Sequence, residues 1–236
     1  MDDRRGGPGD IPTAERMRDV GTAMASRMGQ AVTGNRARDQ SGAEARLTEA
    51  DVAALTGDWP RGPRNIIEQM LRQYGPPNEG TRYRLIWYYN GPWKRTEVTR
   101  DEIAHNFPAP HTDYITNWID YPVPVDLATE LTRYDGSCLI DRTAGEAGAR
   151  CDSEAANFIT LNFMHEIATG RKSVAAAREA YASQMAAYLV GRPAPYAERL
   201  LFDPPAGGTV DPDEAVLAPQ VEQVKEKVKD LFRGDG

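Results

Sequence analysis

Three histidines are the residues of this chain whose type and spacing could bind a metal ion. His105 and His111 bracket a loop that contains Pro108 and Pro110, and a rigid loop could direct both rings toward one point. His165 is expected on a central helix. Three imidazoles can hold zinc or iron, so such a site would need all three. We favour the alternative in which the histidines are structural; a histidine general base is a third interpretation.

Two arginines of a predicted β-hairpin, Arg142 and Arg150, could hold a small anion. A guanidinium group matches the geometry of a carboxylate or a phosphate. The same segment also carries Asp141, Glu146 and Asp152. A solvated, polar sheet face explains most of this charge, so anion binding stays an alternative.

The two cysteines, Cys138 and Cys151, lie in the same predicted hairpin. They are expected to be buried thiols in a reducing compartment, or to form a cross-strand disulfide in an oxidising one. A nucleophilic cysteine needs a nearby base, and nothing in the sequence places one there. Two cysteines are also too few for a four-thiolate zinc site.

An aromatic and basic hairpin tip, formed by Trp93, Lys94 and Arg95, is a candidate surface for a protein partner. An exposed tryptophan beside cationic side chains is typical of binding patches. The preceding Trp87 and Tyr89 are expected to be core residues. The tip therefore becomes a binding surface only if Trp93 is exposed.

The C-terminal segment is a second candidate for partner binding. Val224, Val228 and Leu231 recur at helical spacing, with charged residues on the other side. This pattern predicts an amphipathic helix that packs on its own core or docks on a partner. The segment is too short to predict a coiled coil.

Motifs of high specificity are absent from the sequence. We find no glycine-rich phosphate loop followed by lysine, no Gly-x-Ser-x-Gly and no His-Glu-x-x-His. The sequence therefore disfavours a nucleotide-dependent enzyme, and no cofactor is predicted.

Composition excludes further classes of protein. The 236 residues carry a net charge of −7, which disfavours general nucleic-acid binding. No apolar run approaches the ~18 residues of a transmembrane helix. No apolar signal region follows the first residues, so a cytoplasmic location is expected.

The chain is predicted to contain four regions. Residues 1–46 lack aromatic side chains and read as a flexible tail with one weak helical stripe, because such a composition buries little apolar surface. Residues 47–202 form the single predicted α+β domain. Residues 203–213 are a linker by their proline and glycine content, and residues 214–233 form the C-terminal amphipathic helix.

Within the domain, two β-hairpins are expected to pack with a central helical hairpin. Asn90-Gly91 indicates the first hairpin. The second is expected to turn at Ala144-Gly145, which would place Cys138 opposite Cys151. A short helix is predicted to begin after Thr112 and run through Ile119. The helical hairpin is predicted from Ser153 to about Val190, with caps at Asp152 or Ser153 and at Ser173.

Several strings of this sequence carry a resemblance to known proteins. They are Asn90-Gly91-Pro92-Trp93-Lys94-Arg95, residues 105–111 (HNFPAPH), Asp135-Gly136-Ser137 and residues 141–146 (DRTAGE). Residues 47–190 thereby resemble a group of uncharacterised bacterial proteins, which implies one bacterial domain and no particular activity. Residues 63–99 are also locally similar to outer-membrane assembly lipoproteins of the BamE type, through a helix ending in Tyr-Gly-x-Pro and a tryptophan-containing strand. Those lipoproteins carry a lipidated cysteine near the start, whereas Cys138 and Cys151 lie far from residue 1.

The leading hypothesis from the sequence is a non-enzymatic binding or accessory protein within a larger bacterial assembly. It depends on the absent catalytic motifs, the two tails and the aromatic hairpin. The first alternative is a metal-dependent enzyme centred on His105, His111 and His165, with Arg150 assisting. The second is a protein that binds a small anion through Arg142 and Arg150.

Overall fold

The computed structural model describes residues 10–33, 44–205 and 213. The chain divides into two units, one of residues 1–38 and 213–236 and the other of residues 39–212. None of the helices in the described ranges is both long enough and apolar enough to cross a membrane. The predicted C-terminal helix with Val224, Val228 and Leu231 lies outside the described residues.

In the first unit, the described helix is α1, Thr13–Thr33. It carries the weak helical stripe that the sequence shows in the predicted tail, with Met17, Val20, Met24 and Met28 spaced three or four residues apart. Val20 and Met28 are exposed.

The described part of the second unit combines six helices with a six-stranded sheet, and the predicted α+β class is confirmed. The helices are α2 (Glu49–Thr56), α3 (Arg61–Tyr74), α4 (Ala128–Tyr134), α5 (Glu154–Ala168), α6 (Val174–Leu189) and α7 (Pro195–Glu198). The strands are β1 (Glu79–Gly80), β2 (Arg84–Tyr88), β3 (Arg95–His105), β4 (His111–Asp120), β5 (Cys138–Asp141) and β6 (Glu146–Cys151). A 3₁₀ turn, Val125–Leu127, leads into α4.

Local sequence signals explain where several helices begin. The hydroxyl of Thr48 accepts from the backbone N–H of Asp51 at the start of α2, and the Asp51 side chain returns the contact as a capping box. The hydroxyls of Ser153 and Ser173 cap α5 and α6 by accepting from the backbone N–H groups of Ala156 and Ala176. The predicted helical hairpin of α5 and α6 is therefore specified by its own caps.

The sheet is antiparallel, with strand order β1-β2-β3-β4-β6-β5. The helix predicted from Thr112 to Ile119 is wrong, because this segment is strand β4, which pairs with both β3 and β6. Its buried residues include Asp113, Ile115, Asn117 and Ile119, and this period of two belongs to a strand. Strand β4 joins the two predicted hairpins into one sheet.

The predicted register of the second hairpin is also wrong, by two residues. Cys138 pairs with Ala149, not with Cys151, and Asp141 pairs with Glu146. The turn occupies residues 142–145, and it closes with Gly145 at a φ of 65°. Because the error is an even number of residues, each side chain stays on the predicted face.

The helices cover one face of the sheet. Ile115 and Ile119 share a face of β4, because side chains two residues apart lie on the same side of a strand. Ile115 belongs to a buried cluster with Ile66 and Met70 of α3, and Ile119 to a cluster with Ile159 of α5. By the same period, the side chains of His111 and Asp113 at the start of β4 also lie on the covered face.

Replacing Gly148 by alanine is expected to destabilise the sheet. Gly148 pairs with Trp118, and a Cβ atom there would lie 2.8 Å from the indole ring. Arg95 stacks over the same ring, which restricts its movement. We expect Gly148→Ala to lower the free energy of unfolding by about 1–3 kcal/mol in urea denaturation.

Gly136→Ala is the matched control for that substitution. Apart from Gly136 and its two chain neighbours, no described residue has an atom within 4 Å of a Cβ atom built at Gly136. We expect this change to alter the free energy of unfolding by less than about 0.5 kcal/mol. Equal effects of the two substitutions would contradict the close packing at Gly148.

Candidate metal centre

The β3–β4 connection brings two of the three histidines together. His105 ends β3, His111 begins β4, and the two residues pair directly across the strands. Their ring centroids lie 4.9 Å apart. Asp113 follows on the same face of β4, and one ligand atom from each of the three residues lies within 4.8 Å of the other two.

Asp113 is completely buried, with a relative exposure of 0%. Its Oδ2 atom accepts a hydrogen bond from the Ser137 hydroxyl, and Arg150 Nε lies 3.7 Å away. Among the described residues, no group donates a hydrogen bond to the other oxygen, Oδ1. A buried carboxylate oxygen without a donor is costly, so a cation at this point would stabilise it.

His111 brings an unprotonated ring nitrogen close to that oxygen. Its Nδ1–H donates to the carbonyl oxygen of Ala109 at 2.7 Å, which leaves Nε2 unprotonated in the neutral ring. Nε2 lies 3.0 Å from Asp113 Oδ1, but the two atoms are not aligned for a hydrogen bond. Two electron-rich atoms at this separation repel each other unless a cation lies between them.

His105 lies between two carboxylates. Its Nδ1 is 3.4 Å from Asp113 Oδ1, and its Nε2 is 3.4 Å from Asp135 Oδ1. Asp135 is buried and accepts from the backbone N–H of Ser137 at 2.8 Å and from the Thr160 hydroxyl at 3.2 Å. Burial raises the pKa of Asp135 above its usual range, against the effect of the Ser137 hydrogen bond and of His105.

The thiol of Cys151 adjoins the group through His111. Its sulfur lies 3.2 Å from His111 Nε2, and Asp152 Oδ1 is 3.7 Å away. Burial raises the pKa of Cys151 well above its usual range, and the nearby carboxylates act in the same direction. The sequence places no base near this thiol, whereas the fold brings His111 of β4 beside it.

His165 does not belong to the group, so the three-histidine set suggested by the sequence is not assembled. On α5, its Nδ1 lies 3.0 Å from the Tyr121 hydroxyl, and its ring stacks on Phe202. Burial and the nearby Arg171 lower the pKa of His165. Asp113 takes the place that the sequence suggests for His165.

The two arginines suggested for anion binding are separated along β6. Arg142 lies in the turn before this strand, whereas Arg150 is its penultimate residue. The four residue steps from Glu146 to Arg150 span about 13 Å along the strand. Arg150 forms an ion pair with Asp113. Its side chain therefore contacts the group of His105, His111 and Asp113 and does not pair with Arg142 around an anion.

The hairpin tip suggested for partner binding is part of the folded core and of a charge network. Trp93 is only 2% exposed, and its Nε1–H donates to Glu154. Lys94 forms ion pairs with Asp120 and Glu146 at 2.8 and 2.6 Å. Arg95 also binds Glu146, at 2.6 Å. Trp93 is therefore not available as the exposed centre of a binding patch.

Sequence reasoning missed Asp113 as a member of the group and Asp135 and Cys151 as its neighbours. The string His111-x-Asp113 signals a shared face only if the segment is recognised as a strand. Asp135 is part of Asp-Gly-Ser, which reads as an ordinary turn. The contact of Cys151 joins residues 40 positions apart, and no local pattern encodes such a contact.

The remaining guide to function is similarity to other proteins. Comparisons of this chain with protein-family models, with curated proteins and with solved structures give no match. The two resemblances drawn from the sequence therefore stay predictions. The chemistry of the metal centre is the basis for the function proposed below.

Proposed function

We propose that this protein binds a divalent transition-metal ion through His105, His111 and Asp113. The observation that supports the proposal is the buried Asp113 Oδ1, which has no hydrogen-bond donor among the described residues and lies within 3.4 Å of two imidazole nitrogens. A metal ion between these three atoms would satisfy all of them. In this proposal His105 binds through Nδ1 and His111 through Nε2.

The distances fit the coordination sphere of a small transition-metal ion. Zinc binds imidazole nitrogen and carboxylate oxygen at about 2.0–2.2 Å, so two tetrahedral ligands lie about 3.3–3.6 Å apart. The pairs of nitrogen and oxygen are already 3.0 and 3.4 Å apart. Two imidazoles with one carboxylate favour Zn²⁺, Fe²⁺ or Co²⁺ over Mg²⁺ and Ca²⁺, which prefer oxygen ligands.

Each proposed ligand is held by a second residue. The Nδ1–H of His111 donates to Ala109, and the Nε2 side of His105 faces Asp135. The Oδ2 atom of Asp113 is held by the Ser137 hydroxyl. Such partners fix the tautomer and orientation of metal-binding histidines, and they are already in place around this group.

Two roles for the ion follow from the number of protein ligands. Three protein ligands leave a position for water, which a metal-dependent enzyme uses. Four protein ligands make a closed, structural site. A closed, structural site is compatible with the accessory-protein hypothesis. The C-terminal apolar stripe, which also motivates that hypothesis, lies outside the described residues.

Equilibrium dialysis of the metal-stripped, full-length protein against Zn²⁺ tests the proposal. We expect the wild type to retain about one zinc ion per chain. His111→Ala removes one ligand, and Asp113→Asn replaces the carboxylate by a weaker amide ligand. We expect the affinity of each variant for zinc to fall at least tenfold, because the loss of even a residue that only holds a metal ligand costs about 10–100-fold. Far-UV circular dichroism checks that each variant is folded.

His165→Ala is the matched control, because it removes an imidazole outside the group. We expect this variant to bind zinc like the wild type. A folded wild type that retains no zinc would overturn the proposal. So would an equal loss of affinity in His165→Ala and His111→Ala.

A further inference from the structure

We propose that Cys151 supplies the fourth ligand to this metal ion as a thiolate; the inference rests on the proposed function. It assigns the site the ligand set His105, His111, Asp113 and Cys151. These residues come from β3, β4 and β6, which are neighbours in the sheet.

The sheet register brings Cys151 to the metal centre. Cys151 pairs with Ile115 on β4, and Ile115 follows Asp113 by two residues on the same face. The sulfur lies 3.2 Å from His111 Nε2. Zinc–sulfur and zinc–nitrogen bonds of about 2.3 and 2.0 Å give a tetrahedral S···N separation of about 3.5 Å. The observed contact is close to that separation.

The unpaired oxygen of Asp113, which supports the three-ligand site, lies near the same ring nitrogen as the Cys151 sulfur. His111 Nε2 has the Asp113 oxygen 3.0 Å away and the Cys151 sulfur 3.2 Å away. The Cys151 sulfur is not among the ligand atoms of His105, His111 and Asp113 that all lie within 4.8 Å of one another, so ligation requires the sulfur to move closer to them. Oxygen, nitrogen and sulfur adjoin one another through His111 Nε2, and the oxygen has no hydrogen-bond donor among the described residues. A single cation can bind all three, whereas the thiol proton can satisfy only one acceptor.

Ligation exchanges a proton for the metal without any change of oxidation state. The S–H bond of Cys151 breaks, its proton passes to water, and the sulfur electron pair forms the metal–sulfur bond. A thiolate among the ligands favours Zn²⁺ or Co²⁺ over the hard cations Mg²⁺ and Ca²⁺. A site closed by four protein ligands would join three neighbouring strands and serve structure rather than catalysis.

Cobalt absorption spectroscopy of the metal-stripped, full-length protein tests the inference. Tetrahedral Co²⁺ absorbs visible light through d–d bands, and a cobalt–thiolate bond adds a charge-transfer band in the near ultraviolet. We expect both bands in the wild type. We expect Cys151→Ser and Cys151→Ala to lose the near-ultraviolet band, and circular dichroism checks that both remain folded.

Cys138→Ser is the matched control, because Cys138 is the other buried free thiol and pairs with Ala149 on β6. We expect this variant to keep both bands. Visible bands in the wild type without a charge-transfer band would overturn the role of Cys151 and leave the three-ligand site intact. The absence of any cobalt spectrum would instead overturn the proposed metal site, and with it this inference.

Discussion

Zinc is expected to raise the melting temperature of the wild-type protein by about 8–16 °C when its free concentration is about a thousand times its dissociation constant. A ligand at that excess stabilises the folded state by about 4 kcal/mol if it binds only that state. For a chain of about 150–250 residues, each kcal/mol corresponds to about 2–4 °C. The ion would bind folded protein selectively, because His105, His111 and Asp113 come together only when β3 pairs with β4.

Differential scanning calorimetry of the metal-stripped protein, with and without Zn²⁺, measures this shift. We expect Asp113→Asn to show little of it, because an amide oxygen is a weaker ligand than a carboxylate. His165→Ala is expected to show the full shift, because His165 contacts Tyr121 and Phe202 instead. Mg²⁺ at the same concentration is expected to have no effect. An equal zinc shift in wild type and Asp113→Asn would contradict the assigned ligands.

Trp93→Ala is expected to lower the free energy of unfolding by about 3–5 kcal/mol. The Trp93 ring packs 4.5 Å from Phe158, between ring centroids, and belongs to the buried cluster around α5. Its Nε1–H donates to Glu154, which also accepts from the Tyr74 hydroxyl at 2.7 Å. The substitution would therefore leave a cavity and remove one donor from a carboxylate.

Urea denaturation followed by far-UV circular dichroism measures this loss. Trp93→Phe keeps an aromatic ring and removes the Nε1 donor, so we expect a smaller cost of about 1–3 kcal/mol. Tyr83→Ala is the surface control: Tyr83 is 66% exposed, and a cost below about 0.5 kcal/mol is expected. A similarly small cost for Trp93→Ala would contradict its burial and restore the hairpin tip as a candidate binding surface.

The sequence was sufficient to predict secondary structure where the signals are local. The hydroxyls of Ser153 and Ser173 cap the two helices of the predicted hairpin, because a cap depends on groups within three residues of each other. Signals of this kind need no knowledge of the rest of the fold.

Those local signals do not determine which strands pair or in what register. The apolar residues Ile115, Trp118 and Ile119 also fit a helical spacing, and only the pairing of β4 with β3 and β6 selects the strand. The register of Cys138 depended on which residues form the turn. When a short apolar pattern fits both a helix and a strand, the contacts with residues distant in the chain decide between them.

The metal centre shows the same division. The sequence by itself placed His105 and His111 on either side of one short loop, and their proximity followed from that spacing. Only the tertiary structure excluded His165, brought Asp113 to the two histidines and placed Asp135 and Cys151 beside them. The physical reason is that a strand directs side chains by its face and its neighbours, and both are set by hydrogen bonds to segments remote in the chain.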